Sequence, residues 1–198
     1  MKILVLTNLY PPHHAGTYNM RCQVLVEALT TRGHQLHVLT STHGIGSEQR
    51  GGEIERRLRI NGAFGDPLVT SYKELKSLET TNHRVLRETC ESFPPDLIYV
   101  YSLEGLSKSL IFALQNSRLP TVYSVDDYWL ARDVAKDPWL RWWNNPKNSG
   151  GLARMILELF GQRSRIDAVA PTRASRADHR MPQLLPTAVR SPAPNPIR

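Results

Sequence analysis

MKILVLTNLYPPHHAGTYNMRCQVLVEALTTRGHQLHVLTS, residues 1 to 41, holds two short apolar runs separated by one helix-length segment. Ile3 to Thr7 and Leu36 to Thr40 do not alternate cleanly between apolar and polar side chains. Such near-continuous runs suit strands covered on both faces, the pattern of parallel sheets. Between them, Tyr18 to Arg32 places Val24, Leu25, Ala28 and Leu29 on one predicted stripe. Gly33 follows as a residue able to take positive φ and end the helix.

The same rhythm continues downstream. Leu97 to Tyr101, Thr121 to Val125 and Ile166 to Ala170 read as further strands. A weaker one spans Glu53 to Ile60, where Ile54, Leu58 and Ile60 share one parity. Residues 70–92 predict a long, largely polar helix stopped by Pro94 and Pro95, and residues 104–117 a second one stopped near Pro120. In the longer helix Lys73, Lys76, Arg84 and Arg87 alternate with Glu74, Glu79, Glu88 and Glu91, which reads as a solvated face with i,i+4 pairs and no chemistry. The fold expectation is α/β, with a doubly wound, mainly parallel, Rossmann-like sheet.

Two segments break the rhythm. Residues 131–150 form a long irregular stretch holding Trp139, Trp142 and Trp143. After Met181, five prolines from Pro182 to Pro196 remove backbone donors and predict an extended or disordered tail. The expected division is one domain over 1–180 and a tail over 181–198. At 198 residues the chain exceeds the ~150-residue prior for one domain only modestly.

Composition narrows the function classes. Exchanging the 7 Tyr for the 12 Gly brings the 40% hydrophobic share to about 43%, close to the ~45–50% of globular chains, so a sizeable core is available. The net charge is +7, yet the seven Arg of residues 163–198, against Asp167 and Asp178, hold most of that excess. The apolar run Ile3 to Leu6 is far shorter than a signal or membrane segment, which predicts a cytoplasmic chain. Cys22 and Cys90 lie in helical patterns without metal-ligand spacing, so a disulfide scaffold and a zinc site have no support and no metal or cofactor is expected.

In open parallel sheets ligands gather beyond the carboxyl ends of the strands. After the first strand stand Pro11, Pro12, His13, His14, Ala15, Gly16 and Thr17. Pro11 and Pro12 stiffen the loop, Gly16 admits close backbone approach, and the helix N-terminus offers N–H groups to an anion. The five residues His13 to Thr17 are therefore candidates for a phosphate or sugar contact, with a solvated histidine pair as the plainer alternative. Neither GxGxxG nor GxxxxGK[ST] occurs, which weighs against dinucleotide and P-loop chemistry. Further on, Tyr101, Ser102 and Glu104 follow one strand and Asp126 and Asp127 another. Adjacent acids at a strand end face water, a cation or a hydroxyl-rich ligand, unless one of them caps a local turn. Thr172 and Arg173, after the last strand, could join the same crevice, the arginine suiting a phosphate.

Taken together, these segments resemble the N-terminal domain of family 4 glycosyltransferases, retaining enzymes of the GT-B architecture. The likeness rests on the opening strand, Pro11-Pro12, Ala15-Gly16, Arg32-Gly33-His34, PPDLIYVYS, LPTVYSVDDYW and IDAVAPTRAS, and covers residues 1 to about 180. It implies transfer of a sugar from a nucleotide-sugar donor to a sugar or lipid-linked acceptor held largely by this half, with anomeric configuration kept. It makes Asp126 and Asp127 the catalytic candidates. Two positions depart from the pattern: Ala15 replaces the first of a glycine pair, and Asp126 stands where many members carry a histidine. In the family a second Rossmann-like domain holds most of the donor, so the chain is expected to be inactive without such a domain or a separate donor-domain chain.

The alternative is a non-catalytic module for an anionic partner. For nucleic acid the basic charge is present, but it gathers in the predicted tail and no recognition motif accompanies it. For an anionic membrane surface, the apolar run Leu152 to Phe160 beside Arg163 and Arg165, preceded by three tryptophans, would suit peripheral contact. A core face covered by Trp142 or Trp143 explains the same residues.

Overall fold

The computed structural model describes residues 1–13, 16–125 and 137–144. Five parallel strands, β1 (Lys2–Thr7), β2 (Gln35–Ser41), β3 (Ile54–Leu58), β4 (Leu97–Ser102) and β5 (Thr121–Tyr123), form one sheet in the order β3-β2-β1-β4-β5. Helices α1 (Thr17–Thr31), α2 (Tyr72–Ser92), α3 (Ser109–Asn116) and α4 (Pro138–Asn144) complete the described elements. The sheet is that of a Rossmann-like α/β fold, as expected. The predicted strand Ile166 to Ala170, the run Leu152 to Phe160 and the tail 181–198 lie outside the described residues.

β1 explains why its sequence does not alternate. Ile3 and Val5 enter a cluster with Cys22 of α1, whereas Leu4 and Leu6 enter the opposite cluster with Val85 and Leu86 of α2 and Leu110 and Leu114 of α3. Both faces are covered, so each of the four apolar side chains from Ile3 to Leu6 has an apolar destination. The α1 terminus follows its sequence signal closely. Gly33 takes φ +83°, its N–H donates to Thr30 O, and His34 N donates to Leu29 O, the two bonds of a Schellman end.

The expected stripe on α1 needs correction. Leu25 and Leu29 pack inward with Tyr18, Cys22 and Val26, but Val24 is 64% exposed and Ala28 also faces solvent. Cys22 and Asn19 centre the buried face, which turns Val24 outward. The helix predicted over 104–117 begins only at Ser109. Gly105 at φ +75° is incompatible with a right-handed helix, and Leu106 N closes a turn onto Leu103 O. The irregular stretch 131–150 contains α4, whose Trp139 and Leu140 are buried.

β3 departs most from apolar patterning, because Glu55, Arg56 and Arg57 are all buried. Arg57 donates from Nη1 to Glu55 Oε1 at 2.7 Å, from Nη2 to Glu88, and from Nε to Glu48 Oε2 at 3.4 Å. Burial opposes ionisation of Glu55, but hydrogen bonds from Arg57, Thr89 and His37 outweigh it and hold the carboxyl below its ordinary range. Removing the cation would strand a buried carboxylate. Arg57→Ala is expected to destabilise the fold by about 3 kcal/mol, read as a lowered urea midpoint; a change within the range of ordinary surface substitutions would show the network to be dispensable.

Candidate functional site

The strand order reverses beside β1, with β2 on one side and β4 on the other. Ligands in such sheets lodge in the crevice beyond the carboxyl ends at this reversal. Asn8, buried directly after β1, organises it. Its backbone N–H donates to Ser102 O at 2.9 Å, and its carbonyl accepts from Thr40 Oγ1 at 3.1 Å and from Ser41 N at 3.3 Å. Its side-chain Nδ2 donates to Glu104 O at 3.1 Å, while Oδ1 accepts from Leu9 N at 2.8 Å. One residue thus joins the ends of β1, β2 and β4.

Beyond Asn8 the chain makes a cis Pro11–Pro12 turn, closed by a bridge between Tyr10 and His13. The buried Arg56 of β3 donates to Tyr10 O at 2.9 Å and to Pro11 O, fixing the turn from beneath. His13 is half-buried against Gly44 of the β2 loop, where an added Cβ would lie 2.3 Å from the imidazole Nδ1. Gly16 is the N-cap of α1, and an added Cβ would meet nothing within 4 Å. Among the described residues neither a capping side chain nor a first-turn acid occupies that N-terminus, and Thr17 is exposed at its start.

Several expected site residues thus come together: His13, Gly16 and Thr17 share the β1 loop, and Ser102 and Glu104 share the facing β4 turn. Tyr101 does not join them. Its ring packs 4.5 Å from Tyr18 in the α1-side core, and its carbonyl accepts from the Tyr18 hydroxyl at 2.7 Å. Ser102 is buried, and its Oγ accepts from Glu104 N at 3.4 Å, shaping the turn. Glu104 is exposed. His14, Ala15, Asp126, Asp127, Thr172 and Arg173 lie outside the described residues.

A cavity of about 190 Å³ adjoins the crevice, between the loops after β3 and β4 and the start of α4. Its polar walls include Glu79, Glu104, Lys108 and Asp137, and Trp139 and Leu68 contribute apolar surface. Asp137 caps α4, accepting from Trp139 N and Leu140 N through Oδ1, and also from Lys108 N through Oδ2 at 2.7 Å. Lys108 is 2% exposed, and its Nζ donates to Leu103 O and Leu106 O.

Glu79, 4% exposed, was expected on a solvated face and instead looks inward. α2 buries Leu75, Leu78, Glu79, Asn82 and Leu86 along one side, so a helix that is polar in composition is amphipathic in placement. Ser109 Oγ donates to Glu79 Oε2 at 2.6 Å and lies 2.8 Å from His83 Nε2. The hydroxyl stands between acid and imidazole, an order that suits passing a proton and does not make Ser109 an activated nucleophile. Burial, with Asp137 nearby, pushes the Glu79 carboxyl up to about 8 despite the opposing hydrogen bonds from Ser109 and Ser107.

Of the other described histidines, His37 pairs with Glu55 and His43 with Asp66, each at 3.2 Å, whereas the buried Nδ1 of His34 has no hydrogen-bond partner among the described residues. Cys22 and Cys90 are free, and burial raises their thiols to about 12 and about 11. Among the described residues no group of three or more His, Cys, Asp or Glu is placed to hold a metal. Nor is any described helix long and apolar enough to cross a membrane.

The profile of the glycosyl transferase 4-like domain family matches residues 16–171. No curated protein matches the chain. Among solved structures, sucrose-phosphate synthase from Thermosynechococcus elongatus aligns at 12% identity and a TM-score of 0.43, covering 69% of this chain. The chain spans 37% of that structure's length.

The buried carboxyl of Glu79 has a consequence for stability. Its folded-state value lies above its unfolded value, so the folded state binds more protons between about pH 4.5 and 8, and stability falls as pH rises through that window. Glu79→Gln is expected to flatten this slope in urea titrations run from pH 5 to 8.5. An unchanged slope would place the titrating group elsewhere.

Proposed function

Since the chain belongs to the glycosyl transferase 4-like domain family, we propose that it forms the acceptor-side wall of a retaining glycosyltransferase. In this reading a sugar passes from a nucleotide-activated donor to an acceptor hydroxyl. The bond from the anomeric carbon to the diphosphate breaks, and the acceptor oxygen bonds to that carbon on the same face. The hydroxyl proton leaves with the diphosphate. A second α/β unit, in this or another chain, holds most of the donor. Such transfer rests on positioning and on stabilising the departing diphosphate, tasks that a two-walled cleft divides.

The observation that carries this reading is the assembly at the strand reversal. Asn8 fixes the crevice, Arg56 fixes the Pro11–Pro12 turn, and the uncapped N-terminus of α1 lies beside His13 and Gly16. Backbone N–H groups at that end suit a diphosphate oxygen. The open space at Gly16 leaves room for one. Asp126 and Asp127, following β5 in sequence, are assigned to the reacting centre, and Thr172 and Arg173 to its phosphate side. His14 and Ala15, next to His13 in sequence, are assigned to the same contact. Acceptors could be free or lipid-linked sugars; Trp139 and Trp142 pack against Tyr72, so two of the three tryptophans considered for a membrane surface serve the core instead.

Saturation-transfer NMR of the 198-residue chain with glycosides and with UDP- and GDP-sugars tests the assignment. Saturable contacts to the sugar portion are expected, weakened about tenfold by His13→Ala and by Gly44→Ala, which drives a methyl into the imidazole. Nucleotide binding about tenfold tighter than that of any glycoside would overturn the acceptor-side assignment.

A further inference from the structure

The cavity between α2, the loops after β3 and β4 and the start of α4 is shaped and charged in a way that selects its occupant. Its volume of about 190 Å³ leaves room for one small ring. Leu68, 61% exposed, and Glu104 stand at its lip, so the cavity opens to solvent. The backbone carbonyl of Glu104 accepts from Asn8, so the same turn borders both the cavity and the crevice.

The two buried ions in its wall, Lys108 and Asp137, are already engaged within the chain, and the Glu104 carboxylate stands exposed at the lip. Lys108 Nζ is held by two main-chain carbonyls, and the Asp137 carboxylate by three main-chain N–H groups. An anionic ligand would have to displace the Lys108 bonds and would face the carboxyl groups of Glu79, Glu104 and Asp137, whereas a neutral one leaves these bonds in place. Trp139 and Leu68 offer apolar surface to ring C–H groups, and Glu79 offers a carboxyl to ring hydroxyls. Apolar walls with a few placed polar groups are the usual make-up of a small-molecule pocket.

We propose that this cavity binds one uncharged polyhydroxylated ring, a neutral monosaccharide or cyclitol unit. Resting on the acceptor-side reading above, the ring is a unit of the acceptor, seated by Glu79 on one side and Trp139 on the other. Its occupancy is coupled to a proton. With Glu79 protonated, the carboxyl both donates and accepts; ionised, it becomes a buried anion facing Asp137, with Lys108 the nearby cation. Ser109 and His83, the imidazole side chain 23% exposed, connect the carboxyl to solvent, so the proton can leave while a ring fills the cavity. Among the described residues, Glu79 and His83 from α2, Glu104 at the lip, Lys108 before α3 and Asp137 before α4 are the titratable groups facing this cluster and its cavity.

Isothermal titration of the full chain with D-glucose, N-acetyl-D-glucosamine, myo-inositol and glucose 6-phosphate provides the test. One-site binding of at least one neutral ring at pH 7 is expected, with glucose 6-phosphate weaker than glucose. Leu68→Arg, an exposed substitution at the lip, should weaken binding about tenfold. Wild-type affinity should drop between pH 7 and 9, and Glu79→Gln should hold it constant over that range. The proposal is overturned if no neutral ring binds, if glucose 6-phosphate binds best, or if Leu68→Arg and Glu79→Gln leave affinity and its pH profile unchanged. Ring binding that survives both of these variants but is lost in His13→Ala would sink the cavity and keep the acceptor-side reading. Nucleotide preference in the NMR experiment would sink the acceptor-side reading whatever the cavity holds.

Discussion

A strand buried on both faces can carry no polar chemistry until it ends, and β1 ends at Asn8. The carboxamide and peptide groups there are taken out of water, so each needs a partner inside the protein. The partners come from Leu9, Thr40, Ser41, Ser102 and Glu104. Satisfying one buried residue therefore fixes where three strands stop relative to one another. The Pro11–Pro12 turn starts two residues later, and α1 begins at Thr17. The crevice is a consequence of pairing that amide.

Two consecutive arginines on β3 then stiffen opposite sides of the sheet. Pleating sends neighbouring side chains to opposite faces. Arg56 reaches the carbonyls of Tyr10 and Pro11, while Arg57 meets Glu55 and Glu88 on the α2 side. Burial lowers the affinity of Arg56 for its proton, but an arginine stays charged well past physiological pH. A permanent cation therefore lies under the loop that carries His13. That loop is held by charge-assisted bonds to its backbone, and the His13 side chain is half-buried beside Gly44.

Much of the architecture was legible because apolar runs and helix stops are local signals. The β1 and β2 runs and the Gly33 terminus lie in the sequence where the structure has them, and the expected crossover units form. What escaped reading depends on tertiary placement. Glu79 and His83 sit in a helix whose charges alternate like a solvated face, and only packing against α3 and Asp137 shows that Glu79 points inward. Lys108 and Asp137 are 29 positions apart, and no spacing rule joins them. Tyr101 fell on the wrong face because the last residues of a strand alternate, so the residue nearest the crevice in sequence need not face it. Asn8 could have been singled out: a carboxamide directly after a doubly buried strand is a polar group with nowhere to go but the crevice.

The turn from Ser102 to Lys108 links the two polar centres physically. One end is tied to Asn8 through Ser102 O and Glu104 O. The other is folded on itself, since Lys108 Nζ binds Leu103 O and Leu106 O, and Asn61 N binds Gly105 O from the neighbouring loop. Gly105 fits there because a Cβ would come within 2.7 Å of Ala63 and 2.8 Å of Ile60. Such a turn has little freedom to adapt to different occupants, and a wall already ordered costs a ligand little further entropy on binding. Selectivity between rings must then come from the shape of the space and from the hydroxyls that meet Glu79 and Glu104. Loop movement has little part in it.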